Sequence, residues 1–225
     1  MPAAMKTGFL LFPGMTQLDF TGPYEVFARA PELEVFVIAK EKGPVRSEFG
    51  LTFIADTDFA SAPQLDILCV PGGTGILGAA GDPDTMKFLQ DQARGALWVT
   101  AVCTGSLVLG AAGLLKGYRA TTHWLSLDHL PLVGAIPQQE RVVQDRNRVT
   151  SGGITAGIDF ALYFIAELFG RERAEAIALM MQYDPAPPFK SGHPGTADPA
   201  LVTQVSEARA ELQEERRAFF SKLKL

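Results

Sequence analysis

The run Ala96-Leu97-Trp98-Val99-Thr100-Ala101-Val102 is apolar enough for a buried strand, and it stops at Cys103. The small residues Thr104-Gly105-Ser106 and a helical pattern, Leu107 to Ala112, follow at once. Such a junction leaves few folds open. It feeds a strand directly into a helix and presents the residue between them at the carboxyl end of a sheet, where open α/β folds bind ligands. A helix start also carries free N–H groups and partial positive charge, which favour thiolate over thiol. Two readings of Cys103 follow: a buried small hydrophobe, the ordinary state of a free cysteine, or a nucleophile.

The rest of the chain repeats the alternation. Lys6–Phe12, Leu33–Ala39 and Asp66–Val70 read as strands, and Val45–Asp56 as a local antiparallel pair around Glu48-Phe49-Gly50. Between them, Leu18–Phe27 and Asp82–Arg94 read as helices, the second with Asp82 as N-cap and Pro83 at the first position. Arg119–Thr121 reads as a strand and Trp124–Leu130 as a short helix. A hairpin, Val142–Val143 with Arg148–Thr150, ends the sheet. Helices Thr155–Phe169 and Arg171–Gln182 come next. This rhythm predicts an α/β fold, a mainly parallel sheet with helices on both faces. Five prolines break it in Asp184–Pro199, which reads as a wrap. Ala200–Leu223 reads as one charged helix with Val202, Val205, Ala208 and Leu212 along a stripe. That helix packs on its own domain or serves as a dimer arm.

At 225 residues the chain suits one large domain with an appendage. Its 47% apolar and 20% charged residues are an ordinary globular balance. The net charge of −5, with no Lys/Arg block before the mixed-charge tail, argues against nucleic-acid and anionic-membrane partners. No apolar run reaches about 18 residues, so no membrane span is expected. The first residues lack a leader pattern, so the expected location is the cytoplasm. Cys69 and Cys103 have no metal-type spacing; we expect free thiols, no metal and no cofactor.

Four segments converge on one sheet edge in this reading: Gln17–Pro23, Pro71-Gly72-Gly73-Thr74-Gly75, Cys103 with Thr104, and Ser151-Gly152-Gly153-Ile154-Thr155. Glycines let backbone N–H groups approach a reacting atom closely. Backbone N–H groups near Gly73, Thr104, Gly153 and Ile154 are thus candidate pocket donors around a nucleophile. Asp19 is either a helix cap or an acid sharing a proton with the thiol, burial raising its pKa for that task. His123 is the obvious partner for a Cys–His pair, yet the residue after Cys103 is threonine. Its default role is structural, as is that of His129 and His193.

These residues resemble a known family. Asp66-Ile67-Leu68-Cys69-Val70-Pro71-Gly72-Gly73, Ala101-Val102-Cys103-Thr104-Gly105-Ser106 and Ser151-Gly152-Gly153-Ile154-Thr155-Ala156-Gly157-Ile158-Asp159 are similar to the superfamily of the parkinsonism-associated protein and the PfpI-type intracellular proteases. The resemblance covers roughly residues 6–183. It implies a flavodoxin-like three-layer sandwich with a cysteine at the nucleophile elbow. Residues 1–183 would form a PfpI-type (class I glutamine amidotransferase-like) domain, and residues 184–225 the wrap and terminal helix, packed on that domain or on a dimer partner.

Within that superfamily, Leu18-Asp19-Phe20-Thr21-Gly22-Pro23 and Gln182–Gly192 look like the isonitrile (isocyanide) hydratases. The resemblance then implies Cys103 as nucleophile, Asp19 as acid/base, a small apolar isonitrile as substrate and a homodimer. Thr104 replaces the histidine of protease-like members. A glyoxalase or deglycase activity, and a redox sensor based on Cys103 oxidation, stay open as alternatives. Regulators of the arabinose-operon activator class share segments like Ala120–Trp124, but the residues after 183 are too few for their DNA-binding domain.

Overall fold

The computed structural model describes residues 3–223; positions 1, 2, 224 and 225, the outermost residues of the two expected segments, lie outside it. The elements run in this order: β1 (Met5–Leu10), α1 (Gln17–Phe27), β2 (Leu33–Ala39), β3 (Gly43–Arg46), β4 (Thr52–Ala55), β5 (Thr57–Asp58) and β6 (Ile67–Val70). Then come α2 (Ile76–Gly81), α3 (Pro83–Gly95), β7 (Trp98–Val102), α4 (Gly105–Ala111), β8 (Arg119–Ala120), a 3-10 helix (Trp124–Val133), β9 (Ile136–Pro137), β10 (Val142–Asp145) and β11 (Arg148–Ser151). Four helices close the chain: α5 (Ala156–Phe169), α6 (Arg171–Met180), α7 (Pro199–Glu207) and α8 (Ala210–Phe220).

A seven-stranded sheet, in the order β10-β11-β7-β6-β1-β2-β5, forms the centre. All its pairings are parallel except β10 with β11. This is the flavodoxin-like arrangement expected from the alternating pattern. The central strands are buried on both faces, which explains their unbroken apolar runs. All four residues of β6 are buried. The core joins Phe9 and Leu68 of the sheet to Phe27, Phe160 and Phe164 of α1 and α5. Phe27 meets Phe160 edge-on at 5.9 Å between ring centres.

Local signals place several elements. Asp82 caps α3, accepting the Thr85 N–H at 3.0 Å, with Pro83 inside the first turn. The β3–β4 pair turns around Glu48–Gly50, as read. The strand read at Arg119–Thr121 is present as Arg119–Ala120, and it pairs with β9 apart from the central sheet. Two expectations need correction. The helix at Trp124 is a 3-10 helix that runs on to Val133 and carries Pro131 inside it. The terminal helix is two helices, broken at Ala208–Arg209. No residue of α7 is buried, and the tail is anchored by Arg216 and Phe220 of α8 instead of the expected valine stripe. Among the described residues no helix is long and apolar enough to cross a membrane.

Candidate active site

Cys103 sits between β7 and α4 with φ of 57°, a left-handed conformation that few non-glycine residues adopt. The turn is tight because the chain reverses against the β6 loop. A Cβ on Gly105 would stand 2.2 Å from the Val70 carbonyl oxygen, so only glycine fits there. Neighbouring groups hold the strained residue. The Cys103 N–H donates to the Ser151 and Gly152 carbonyls, both at 3.1 Å. Its carbonyl accepts from the Thr122 hydroxyl at 3.0 Å and the Ser106 hydroxyl at 3.2 Å. Ile154 is a second left-handed residue, at φ of 33°. That turn aims its N–H at the Cys103 sulfur, where the Thr104 N–H also points.

Asp19 lies in the first turn of α1 and is 1% exposed. It caps nothing. Its Oδ2 accepts the Gly72 N–H at 2.9 Å, 53 residues away, and its Oδ1 is buried without a hydrogen-bond partner. Burial raises its pKa to about 7, against the downward pull of the Gly72 N–H and of the adjacent Cys103 thiol; Glu48 adds a smaller upward push. The cysteine responds the same way. Burial and the Asp19 charge push the Cys103 thiol up, and the Thr104 and Ile154 N–H groups and Arg216 pull it back. The thiolate bias expected from a helix start is outweighed, since α4 has only seven residues and the thiol is buried beside the Asp19 charge. Asp19 therefore titrates near neutral pH while the resting Cys103 thiol holds its proton.

Gly73 enters differently from expectation. Its N–H is already donated to the Thr104 hydroxyl at 3.1 Å, so Gly73 is no free donor. Its carbonyl instead accepts from Arg216 at 3.0 Å. Gly153 stands beside His123: a Cβ there would meet the His123 ring at 2.5 Å. His123 lines the site, with Nδ1 accepting the Leu125 N–H at 3.3 Å. Burial, then Arg216 and Arg209, lower its pKa to about 4, so it is neutral at pH 7.

A cleft of about 100 Å³ opens over the cysteine. Cys103, Thr104 and Ile154 form one wall, and Glu48 and Gly73 another. Helix α8 closes it with Leu212, Gln213 and Arg216. Two of these residues escaped sequence reasoning. Glu48 accepts from the Thr16 hydroxyl at 2.7 Å and the Thr74 N–H at 3.2 Å. Arg216, 5% exposed, looked like part of a solvated charged helix. Cys69 is the other free thiol, buried in β6 beside the Thr100 hydroxyl and pushed up to about 12. Among the described residues no cluster of His, Cys, Asp and Glu could hold a metal.

The chain is 52% identical over 207 residues to the isonitrile hydratase of Pseudomonas putida, covering 92% of this chain and 91% of that protein. It is 34% identical to the HTH-type transcriptional regulator GbdR of Pseudomonas aeruginosa, covering 79% of this chain but only 50% of the regulator. Among solved structures, a THiJ/PfpI family protein from Pseudomonas syringae superposes with a TM-score of 0.95 at 43% identity, over 97% of this chain and 91% of that one. Oxidized DJ-1 of Toxoplasma gondii superposes with a TM-score of 0.72 at 26% identity, over 81% and 100%. The DJ-1/PfpI family model matches residues 5–167, a span that holds the elbow, Asp19 and both glycine turns, and the chain belongs to the DJ-1/PfpI family.

Proposed function

We propose that this chain hydrates isonitriles to N-substituted formamides, as a hydro-lyase that uses Cys103 as nucleophile and Asp19 as general acid and base. The observation that carries this reading is the pairing of a thiol with a buried carboxyl group that titrates near pH 7. The 52% identity to an isonitrile hydratase supports it independently. The site needs no metal or cofactor for this chemistry.

The reaction balances with one shared proton. The Cys103 proton passes to Asp19. The thiolate sulfur then bonds to the terminal isonitrile carbon, and Asp19 returns the proton to that carbon, giving a thioimidate. Asp19, now a carboxylate, takes a proton from water as the water oxygen attacks the same carbon. That proton goes on to the nitrogen. The C–S bond breaks as the new hydroxyl becomes a carbonyl, and the hydroxyl proton returns to sulfur. The Thr104 and Ile154 N–H groups stabilise negative charge on sulfur at both ends of the cycle. Leu125, Ile154 and Leu212 give the cleft an apolar part suited to an uncharged substrate.

The test is loss of the isonitrile infrared stretch with formation of the formamide, measured for the parent and for Cys103→Ala. Turnover by the parent and none by the variant is expected. Turnover of methylglyoxal in place of isonitriles would favour a glyoxalase. Peroxide-dependent mass gain on Cys103 with no turnover of either substrate would favour a redox sensor.

A further inference from the structure

Arg216 is a buried cation that belongs to the tail yet stands in the cleft of Cys103. Its Nη2 donates to the Gly73 carbonyl at 3.0 Å and its Nη1 to the Ser126 hydroxyl at 3.2 Å. The same Ser126 hydroxyl donates to Gln213 at 2.7 Å, so two residues of α8 are fixed to the 3-10 helix through one side chain. Arg216 Nε is buried and has no partner. No carboxylate forms an ion pair with Arg216 among the described residues, although Arg217, its neighbour, pairs with Asp128. A buried guanidinium without an ion-pair partner is costly, and a fold retains one only where something else balances it. Arg216 and Cys103 share a cleft that Asp19 does not line.

We propose that Arg216 is a positioning residue that biases the shared proton of the Cys103–Asp19 pair toward the carboxyl group. It lines the cleft of the sulfur, which the carboxyl group does not line, so its charge favours thiolate with carboxylic acid over thiol with carboxylate. The first of these states is the one that attack on an electrophilic carbon requires. The terminal helix thereby completes the catalytic site from outside the span that matches the family model, residues 5–167. The other charged or titratable groups facing the cleft are Glu48 from the β3–β4 turn, Arg209 from the α7–α8 break and His123 from the start of the 3-10 helix. Glu48 pushes the Asp19 carboxyl group up and so also favours its protonated form; Arg209 acts in the same sense as Arg216 from a more exposed position; His123 is neutral. The role of Arg216 in turnover rests on the hydratase reading, but its effect on the thiol does not.

The experiment compares Arg216→Gln, neutral but still a donor to Gly73 and Ser126, with Arg216→Lys, which keeps the charge. The readout is the pH profile of Cys103 alkylation by iodoacetamide, located by peptide mass so that Cys69 is counted separately. Arg216→Gln is expected to shift the profile up by about one pH unit and slow alkylation at pH 7 about tenfold. Arg216→Lys should stay within about threefold of the parent, and kcat for isonitrile should follow the alkylation order with little change in KM. An unshifted profile in Arg216→Gln, or failure of both variants to fold, would overturn the proposal and leave Arg216 a structural residue. If the profile shifts but the parent turns over no isonitrile, the hydratase reading falls and the role of Arg216 stands.

Discussion

Asp19 Oδ2 and the Gly72 N–H are joined at 2.9 Å, and this bond ties the first turn of α1 to the loop that follows β6. It leaves the carboxyl group half satisfied, with Oδ1 buried and unpartnered. One backbone donor is too little to hold a charge in that place, and the pKa rises to about 7.

The first prediction concerns stability. An aspartate in the unfolded chain releases its proton near pH 4, whereas Asp19 in the fold keeps its proton up to about pH 7. Between these values the folded state binds more protons, so stability falls as pH rises through the window. The full effect is up to about 4 kcal/mol, lost above pH 7. Asp19→Asn does not titrate. Its melting temperature relative to the parent should therefore climb from pH 4 to pH 7 and then level off. A difference that stays constant across this range would mean that Asp19 titrates normally.

The same variant should lose activity. Asp19→Asn keeps the size and the acceptor for Gly72 but cannot carry the proton. Turnover should fall about 100-fold or more, the usual range for a general acid–base group. If the rate survives, the carboxyl group is a structural tie and the proton is carried elsewhere.

Cys103→Ser tests the nucleophile from the other side. The hydroxyl is far less acidic than a thiol, and a carboxyl group with a pKa of about 7 is too weak a base to remove its proton. We expect less than about a hundredth of parental turnover. Melting should change little, since the Cys103 backbone carries the local hydrogen bonds. Serine activity above about a tenth of the parent would count against covalent attack by sulfur.

How much of this was legible depends on how local each cause is. The elbow at Cys103, the cap at Asp82 and the turn at Gly152–Ile154 are written in adjacent residues, and sequence finds them. Asp19 needed the family resemblance, because an acid in a first helical turn reads equally well as a cap. Arg216 was invisible. It stands in Glu214-Glu215-Arg216-Arg217, a stretch that reads as solvated, and only the docking of α8 on the 3-10 helix buries it. The break at Ala208–Arg209 has the same origin, since no glycine or proline marks it. Helix α2 was missed because Gly78 and Gly81 mask a six-residue segment.

Gly105→Ala should show what the elbow requires. The added carbon would stand 2.2 Å from the Val70 carbonyl and 2.7 Å from that of Pro71. Both oxygens belong to backbone at the end of a central strand, so neither yields easily. A loss of more than about 2 kcal/mol is expected, with activity falling further as Cys103 moves. Denaturant melts give the first number and the isonitrile assay the second. A variant as stable as the parent would mean that the elbow is looser than its contacts suggest.

Removal of the chain after Gln182 is the last prediction. It takes away α8, and with it Phe220, fully buried, Arg216 in the cleft, and the Arg217–Asp128 ion pair. The cleft would lose its roof and its cation together, so activity should drop by at least about 100-fold. Assembly is affected separately. Leu179 at 83% exposure, Phe189 at 75% and Met180 at 69% leave apolar surface beside the wrap. A second copy would cover it, and two-fold dimers are the commonest assemblies. The intact chain of 24.2 kDa should therefore scatter light as a dimer, twice that mass, at micromolar concentration. The truncated chain should shift toward monomer. A monomeric parent would dismiss the dimer. A truncated chain that remains dimeric and active would show that the tail serves neither the cleft nor the pairing.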